Sequence, residues 1–310
     1  MSETQDRERE FKRNSELEEY LSKINNALSL GEKNLLGEKI IEYPVLFVMG
    51  PPRSGTTLMT QWLADTGEFS YPTNLLSRFY GAPILGAMIQ RILTDQKYNF
   101  RNEILDFNSK IDYLSENGKT KGALSPNEFW YLWRRFLPED IEDLSSEELL
   151  KKTDVSEMKK EFLGIANVFE KPFICKGMIC DFHIPFLNAV FEKCLFICME
   201  RNIDNNTRSL YKARIRQYGS AEHWYSFKTP NYNDLITIKD PYDQVRAQIS
   251  TIQNGIREGL AEVPDNKKMS VVYEDFCKDP EKTYQILSEK LGSQGWNIGE
   301  YKGITSFEAR

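Results

Sequence analysis

Residues 45–57 read Val-Leu-Phe-Val-Met-Gly-Pro-Pro-Arg-Ser-Gly-Thr-Thr, an apolar run followed by a loop rich in glycine and hydroxyl side chains. The apolar run predicts a buried strand over residues 43–49, and the residues after the loop predict a helix over 57–64. The loop has the G-x-x-x-x-G-K-[ST] spacing of phosphate-binding loops, but Thr56 stands where that motif has its Lys. A strand, a glycine loop and a helix N-terminus together form a site for an anion.

The absent Lys narrows the kind of anion. A Lys at that position contacts the β- and γ-phosphates of a nucleoside triphosphate. Arg53, three residues earlier, supplies a cation instead. We therefore expect the loop to hold a doubly charged 5′ group of a nucleotide rather than a triphosphate. The predicted binding residues are the consecutive loop positions Pro52, Arg53, Ser54, Gly55, Thr56 and Thr57.

Net charge, cysteine content and the length of apolar stretches limit the classes of protein to which this chain can belong. The 310 residues carry a net charge of −6, which argues against a nucleic-acid binder and predicts that any anion site is a local basic pocket. Five cysteines at low density favour a reducing compartment. No apolar stretch reaches the length of a membrane span, so we expect a cytoplasmic protein without one.

Strands and helices alternate along the rest of the chain. Apolar runs predict strands over 172–176, 194–199 and 269–273, and helical periodicity predicts helices over 183–191, 203–216, 240–262 and 280–291. This alternation predicts an α/β fold with three layers, in which helices flank a parallel β-sheet as in the P-loop NTPases. We expect an N-terminal helical extension over 1–40 and a single domain over 41–310, with a helical insertion at about 70–160.

Two further basic residues fall at predicted strand ends. Lys176 ends the second strand and Arg201 follows the third, with Ser209 about two turns into the next helix. Because the carboxyl ends of parallel strands share one edge of the sheet, Arg53, Lys176 and Arg201 are expected to converge there. Arg201 and Ser209 could hold a second phosphate, although an Arg paired with a nearby carboxylate at the helix start explains the pattern equally well.

In combination these motifs resemble one family, the sulfotransferases that use 3′-phosphoadenosine 5′-phosphosulfate (PAPS). The resemblance is to members of bacterial and Golgi type, and it spans roughly residues 43–292. It includes Tyr273-Glu274-Asp275-Phe276 followed by Asp279-Pro280, a segment that we expect to be structural. The family has a P-loop-like α/β core, so the resemblance implies a sulfotransferase domain with the insertion at 70–160 on the acceptor side.

The resemblance also implies roles for individual residues. The first loop would bind the 5′-phosphosulfate of PAPS, through Arg53 and the hydroxyls of Ser54, Thr56 and Thr57. Arg201 and Ser209 would bind the 3′-phosphate, and Lys176 would assist the transfer.

The implied reaction moves a sulfuryl group from PAPS to a hydroxyl or an amine by in-line displacement and releases 3′-phosphoadenosine 5′-phosphate (PAP), with no metal required in principle. The acceptor would be a small molecule, a glycan or a lipid, and the oligomeric state stays open. Two other functions fit the loop less well. One is a P-loop small-molecule kinase, which Thr56 in place of the Lys disfavours. The other is a non-catalytic nucleotide-binding protein on the same fold.

The acceptor group needs a general base, and the sequence offers more than one candidate. Many cytosolic members of the family have a His two residues after the strand Lys, where this chain has Met178. His183, near the start of a predicted helix, and Glu128, set among aromatic residues, are the two candidates, and Asp181 is a weaker third. A helix-capping or core His explains His183 at least as well, and an N-terminal helix Glu explains Glu128 equally well.

Overall fold

The computed structural model describes residues 6–33, 35, 40–101, 103–104, 107, 111–113 and 115–309. Its strands are β1 (Val45–Met49), β2 (Ser115–Glu116), β3 (Lys119–Thr120), β4 (Phe173–Lys176), β5 (Cys194–Glu200) and β6 (Lys268–Val272). Its helices are α1 (Ser15–Glu32), α2 (Thr56–Asp65), α3 (Pro83–Thr94), α4 (Trp130–Phe136), α5 (Ser146–Lys152), α6 (Val155–Phe169), α7 (Ile184–Val190), α8 (Ile203–Tyr218), α9 (Tyr232–Leu235), α10 (Pro241–Leu260), α11 (Tyr273–Lys278) and α12 (Pro280–Ser293). Short 3₁₀ turns occur at Arg9–Phe11, Leu76–Phe79, Ile141–Asp143, Met178–Cys180 and Asp265–Lys267.

The main sheet has the strand order β4-β1-β5-β6, and its strands are parallel. Val48 of β1 is in register with Lys176 of β4, and Met49 is in register with Cys198 of β5. The loop that follows β1 therefore lies between the carboxyl ends of β4 and β5. This is the edge at which ligands bind in open α/β sheets.

The sheet is covered by helices on both faces, which confirms the predicted three-layer α/β fold. Side chains of β1 alternate between two cores because successive residues of a strand face opposite sides. Val45 and Phe47 pack into a core that includes residues of α4, α6 and α7, whereas Leu46 and Val48 pack with residues of α2, α11 and α12. All of these β1 side chains are fully buried.

The insertion at 70–160 is mostly helical, but it also contains a small antiparallel hairpin that the sequence analysis did not predict. Strands β2 and β3 pair around the turn Asn117–Gly118. The segment at Ser70 pairs with the outer edge of β4, because the Ile174 N–H donates to the Ser70 carbonyl at 2.8 Å. Phe162 of α6 packs on Phe173 with ring centroids 5.6 Å apart, so the insertion covers this edge of the sheet.

Helix α1 lies within the segment predicted as an N-terminal helical extension and docks on the insertion. The Gly81 N–H donates to Asn25 Oδ1 at 2.6 Å, and Asn25 Nδ2 donates to the Arg78 carbonyl at 2.9 Å. The boundary at residue 40 stays a prediction. Two helices differ from the prediction. Helix α12 continues past Gly292 instead of ending at residue 291, and Tyr273, predicted as the last residue of a strand, begins helix α11. Among the residues described above, no helix is long and apolar enough to cross a membrane.

Candidate active site

The loop between β1 and α2 is held in place by contacts to its backbone. The Asn206 side-chain amide donates to the Pro52 carbonyl at 2.8 Å, and an Arg201 N–H donates to the Arg53 carbonyl at 2.8 Å. Arg53 adopts a left-handed φ of 68°. These bonds tie carbonyl groups of the loop to α8 and to the end of β5. They leave the N-terminus of α2 as the positive end of the loop, which suits an anion.

Gly55 is required by a close approach to Tyr273, the first residue of α11. A Cβ on Gly55 would lie 2.4 Å from Tyr273 Cδ2, and the glycine has a left-handed φ of 106°. The guanidinium of Arg201 lies 4.6 Å from the centroid of the same ring. Tyr273 thus positions both the loop and Arg201, although the sequence analysis gave its segment no part in the site. The sequence did offer one indication of this role, because Tyr273 comes at the carboxyl end of the fourth parallel strand, where ligands bind.

A Gly55→Ala substitution should lower the free energy of unfolding by about 3 kcal/mol or more, because overpacking against Tyr273 adds to left-handed strain. Gly67→Ala is the matched control, since Gly67 also has a left-handed φ, of 74°, but no atom within 4 Å of its Cβ position. We expect the control to cost only about 1 kcal/mol. Urea denaturation measures both, and equal losses would contradict the role given to the Tyr273 contact.

Lys176 lies between the loop and Glu128. Its Nζ donates to Thr57 Oγ1 at 2.7 Å and to Glu128 Oε1 at 3.0 Å. Lys176 is buried and Glu128 is half-buried, and the second carboxylate oxygen of Glu128 accepts from Trp130 Nε1. A cation, a carboxylate and a loop hydroxyl therefore meet at the carboxyl end of β4. The Lys176 cation can stabilise a departing anion, and the Glu128 carboxylate can accept a proton.

Arg53 reaches across the loop to α8. Its Nε donates to Ser209 Oγ at 3.3 Å, so two residues predicted to bind different phosphates touch each other. Burial lowers the pKa of Arg53, and the nearby charges of Arg201 and Arg216 act in the same direction. Within the described part of the chain, Arg53 has no ion pair with a carboxylate. A half-buried cation of this kind is stabilised by an anionic ligand.

These residues open into one cavity of about 940 Å³. Among the described residues, its wall contains eleven Lys and Arg residues and two acidic residues, Glu128 and Glu308. This local excess of positive charge occurs in a protein whose net charge is −6. The predicted site residues that line it are Pro52, Arg53, Gly55, Thr56, Thr57, Glu128, Lys176, Arg201 and Ser209.

Three candidates from the sequence lie outside this wall. Ser54 is fully buried, and a Cβ on Gly50 would lie 2.7 Å from its Oγ, so its hydroxyl packs behind the loop. His183 precedes α7, with Nε2 3.0 Å from the Ile141 carbonyl, and burial lowers its pKa. Asp181 Oδ1 accepts from the Gly50 N–H at 3.2 Å, and burial raises the pKa of Asp181. We therefore correct the expectation that Ser54 or His183 faces the ligand.

The turn of the β2–β3 hairpin lies over this centre. Asn117 and Gly118 both have a left-handed φ, of 47° and 83°, as a two-residue Asn-Gly hairpin turn requires. A Cβ on Gly118 would lie 3.2 Å from Glu128 Oε1, and the Tyr225 hydroxyl donates to the Asn117 carbonyl at 3.1 Å. The Asn-Gly pair is itself a hairpin signal, so this part of the site could have been found in the sequence.

Comparison with known proteins identifies the class of enzyme. Residues 44–297 match the model of the Sulfotransferase family, and this chain belongs to that family. Among curated proteins, it is similar to omega-hydroxy-beta-dihydromenaquinone-9 sulfotransferase Stf3 of Mycobacterium bovis and of Mycobacterium tuberculosis. The identity is 24% over 297 residues, which is 88% of this chain and 70% of either relative.

Solved structures agree on the fold. The sulfotransferase STF1 from Mycobacterium tuberculosis H37Rv aligns with a TM-score of 0.51 and 16% identity, over 88% of this chain and 72% of its own. The sulfotransferase STF9 from Mycobacterium avium aligns with a TM-score of 0.50 and 17% identity, over 89% of this chain and 68% of its own. The family and the fold predicted from the sequence are both confirmed.

Proposed function

We propose that this sulfotransferase takes its sulfuryl group from PAPS, transfers it to a hydroxyl group of the acceptor, and releases PAP. The observation that carries this proposal is the position of Lys176, whose Nζ joins Thr57 Oγ1 of the loop to Glu128 Oε1. A cation at the loop suits the departing phosphate, and a carboxylate on its other side suits the incoming hydroxyl.

The donor would lie along the loop, with its 5′ and 3′ groups bound by different but adjoining residues, since Arg53 contacts Ser209. The 5′-phosphosulfate would meet the N-terminus of α2, the hydroxyls of Thr56 and Thr57, and Arg53. The 3′-phosphate would meet Arg201 and Ser209, which line the same cavity. Arg201 lies on the ring of Tyr273, so its guanidinium is oriented before the nucleotide binds.

The transfer would follow the in-line geometry of phosphoryl transfer, in which positioning and electrostatic stabilisation supply most of the catalysis. The acceptor oxygen forms a bond to sulfur while the bond between sulfur and the 5′-phosphate oxygen breaks. The electron pair of that bond leaves with PAP, where Lys176 offsets the new charge. Glu128 accepts the proton of the hydroxyl. His183 has no part in this step, since its imidazole bonds to the Ile141 carbonyl.

The acceptor class is supported by the cavity and by the curated relatives. Those relatives are named as sulfotransferases of omega-hydroxy-beta-dihydromenaquinone-9. In this chain the cavity wall includes the aromatic side chains of Phe11, Trp130, Tyr131 and Phe227. An acceptor that joins a hydroxyl to an apolar or ring-bearing body fits such a wall, and this includes lipids and small metabolites.

A radiolabel transfer screen tests the proposal. The protein is incubated with sulfur-labelled PAPS and mixtures of phenols, sugars and lipid alcohols, and in parallel with γ-labelled ATP and magnesium. We expect label from PAPS in at least one organic acceptor, and none from ATP, because Thr56 replaces the Lys that would hold a γ-phosphate. Transfer from ATP without transfer from PAPS would contradict the proposal and indicate a kinase.

A further inference from the structure

Two buried nitrogen atoms in the cavity wall have no hydrogen-bond partner among the described residues. They are Nε of Arg7, on the N-terminal segment, and Nδ2 of Asn117, at the tip of the β2–β3 hairpin. Both residues line the cavity, and Asn117 is only 9% exposed. A buried N–H donor without an acceptor is unfavourable, so a structure that keeps two in one cavity indicates a ligand that accepts from them.

The orientation of Asn117 is set by its other contacts. An Arg216 N–H lies 3.4 Å from Asn117 Oδ1, and the Tyr225 hydroxyl donates to the Asn117 carbonyl. Both oxygen atoms of the residue are therefore used, and the side-chain N–H group is the part left for a ligand. The Glu8 N–H donates to the Gln217 carbonyl at 2.8 Å, which fixes the N-terminal segment beside the end of α8.

Lys119, on β3, adds a second cation to the same place. Lys119 and Arg7 both line the cavity; burial lowers the pKa of Lys119, and repulsion by the charge of Arg7 acts in the same direction. The negative charges of Glu128 and Glu10 raise the pKa of Lys119. Neither Arg7 nor Lys119 forms an ion pair with a carboxylate across the ranges that the structure covers; Lys119 lies over the ring of Phe11. An anion between these cations would remove the repulsion.

This group consists of different side chains from those that would bind the donor, but it adjoins them, because Arg216 contacts Asn117 and its charge also lowers the pKa of Arg53. The loop, Arg53, Arg201 and Ser209 account for the charged groups of PAPS. The hairpin lies instead beside the proposed base, because a Cβ on Gly118 would approach Glu128 Oε1 to 3.2 Å. A ligand held by Arg7, Asn117 and Lys119 is therefore next to the hydroxyl that Glu128 would deprotonate.

We infer that the acceptor carries an anionic group, a phosphate or a carboxylate, near its reacting hydroxyl, and that Arg7, Asn117 and Lys119 bind this group. The inference rests on the proposed function, since it needs the donor site to be occupied by PAPS. It narrows the acceptor from any hydroxyl compound to an anionic one. It also gives the N-terminal segment a role in specificity.

Calorimetric titration of the PAPS-loaded protein tests this inference. PAPS fills the donor phosphate sites and the sulfuryl position, so any remaining affinity for an anion belongs to a separate site. The probes are 2-naphthoate and 2-naphthamide, which share ring and shape, differ in charge, and have no hydroxyl to accept sulfate. We expect 2-naphthoate to bind at least about tenfold more tightly. Titration with 2-naphthylphosphonate then distinguishes a phosphate-bearing from a carboxylate-bearing acceptor by which anion binds more tightly.

Two variants and a matched control locate the site. Arg7→Gln and Asn117→Asp should each remove most of the preference for 2-naphthoate, the second because a carboxylate replaces the amide donor. Arg9→Gln makes the same charge change two residues away, at an exposed residue outside the cavity wall, and should keep the preference. PAPS affinity should be the same in all three proteins.

The opposing outcomes separate this inference from the proposed function. Equal affinity for the two probes, including no binding of either, would overturn the inference alone, as would a preference that survives Arg7→Gln. Loss of PAPS affinity in Arg7→Gln would assign the residue to the donor and overturn it as well. Failure of the wild-type protein to bind PAPS would overturn the proposed function and the inference together.

Discussion

Glu128→Gln should lower kcat for sulfuryl transfer by about 10²- to 10⁴-fold, the usual contribution of a general base. The amide keeps the size of the side chain but cannot accept the hydroxyl proton. The contact of Glu128 with Lys176, at 3.0 Å, changes from an ion pair to a hydrogen bond between the Lys176 ammonium and a neutral amide oxygen, so the fold should persist. Single-turnover transfer from labelled PAPS to whichever acceptor the screen identifies measures the rate of the chemical step directly.

The cavity itself provides the control for this variant. Glu308 is the second acidic residue in the described part of its wall, it is exposed, and Glu308→Gln makes the same change of charge in the same wall. We expect that control to keep kcat within about threefold, since Glu308 is not among the described hydrogen-bond or ion-pair partners of Lys176. A Glu128→Gln protein with nearly wild-type kcat would show that another group accepts the proton, and Glu128 would then be a residue that only positions Lys176.

Arg201→Ala should weaken PAP binding by about 10- to 100-fold, because charge-assisted hydrogen bonds to a phosphate contribute about 1.5–3 kcal/mol. ADP has no 3′-phosphate, so its affinity should change much less. The ratio of the two affinities separates a direct contact from a general disturbance, since Arg201 also bonds to the Arg53 carbonyl and packs on Tyr273. Ser209→Ala should lower the same ratio by a smaller amount, and equal losses for PAP and ADP would contradict a contact with the 3′-phosphate.

The parts of the site that were predictable from sequence depend on local pattern and on the rules of parallel sheets. Strand β1 is short and apolar, and the loop after it has a recognisable spacing, so both were found in the sequence. Lys176 ends one strand that pairs with β1 and Arg201 follows the other, and parallel pairing places the ends of these strands on one edge. No long-range information was needed for these positions.

The residues that were missed depend on contacts between distant segments. Tyr273 enters the site because Gly55 leaves room for its ring, and Arg7 does so because Glu8 bonds to Gln217. Neither contact leaves a periodic pattern in the sequence. The error at Ser54 has a local cause, since Arg53 adopts a left-handed φ and the backbone turn places the next side chain behind the loop.

His183 shows that a short distance in sequence from Lys176 does not place a side chain in the site. It lies seven positions after Lys176, and a helix does begin next to it, as expected. The intervening 3₁₀ turn, Met178–Cys180, and the contact of the imidazole with the Ile141 carbonyl bury the side chain outside the cavity wall. Glu128, which is 48 residues from Lys176, comes within hydrogen-bonding distance of it instead.

The identity of the donor is the central claim, and a calorimetric comparison of PAP, ADP and ATP with magnesium on the wild-type protein tests it most directly. We expect PAP to bind about 10- to 100-fold more tightly than ADP, because only PAP carries the phosphate assigned to Arg201 and Ser209. ATP should bind no more tightly than ADP, because Thr56 stands in place of the Lys that would hold its γ-phosphate. Equal affinity for PAP and ADP, or tightest binding of ATP, would contradict a PAPS-dependent enzyme.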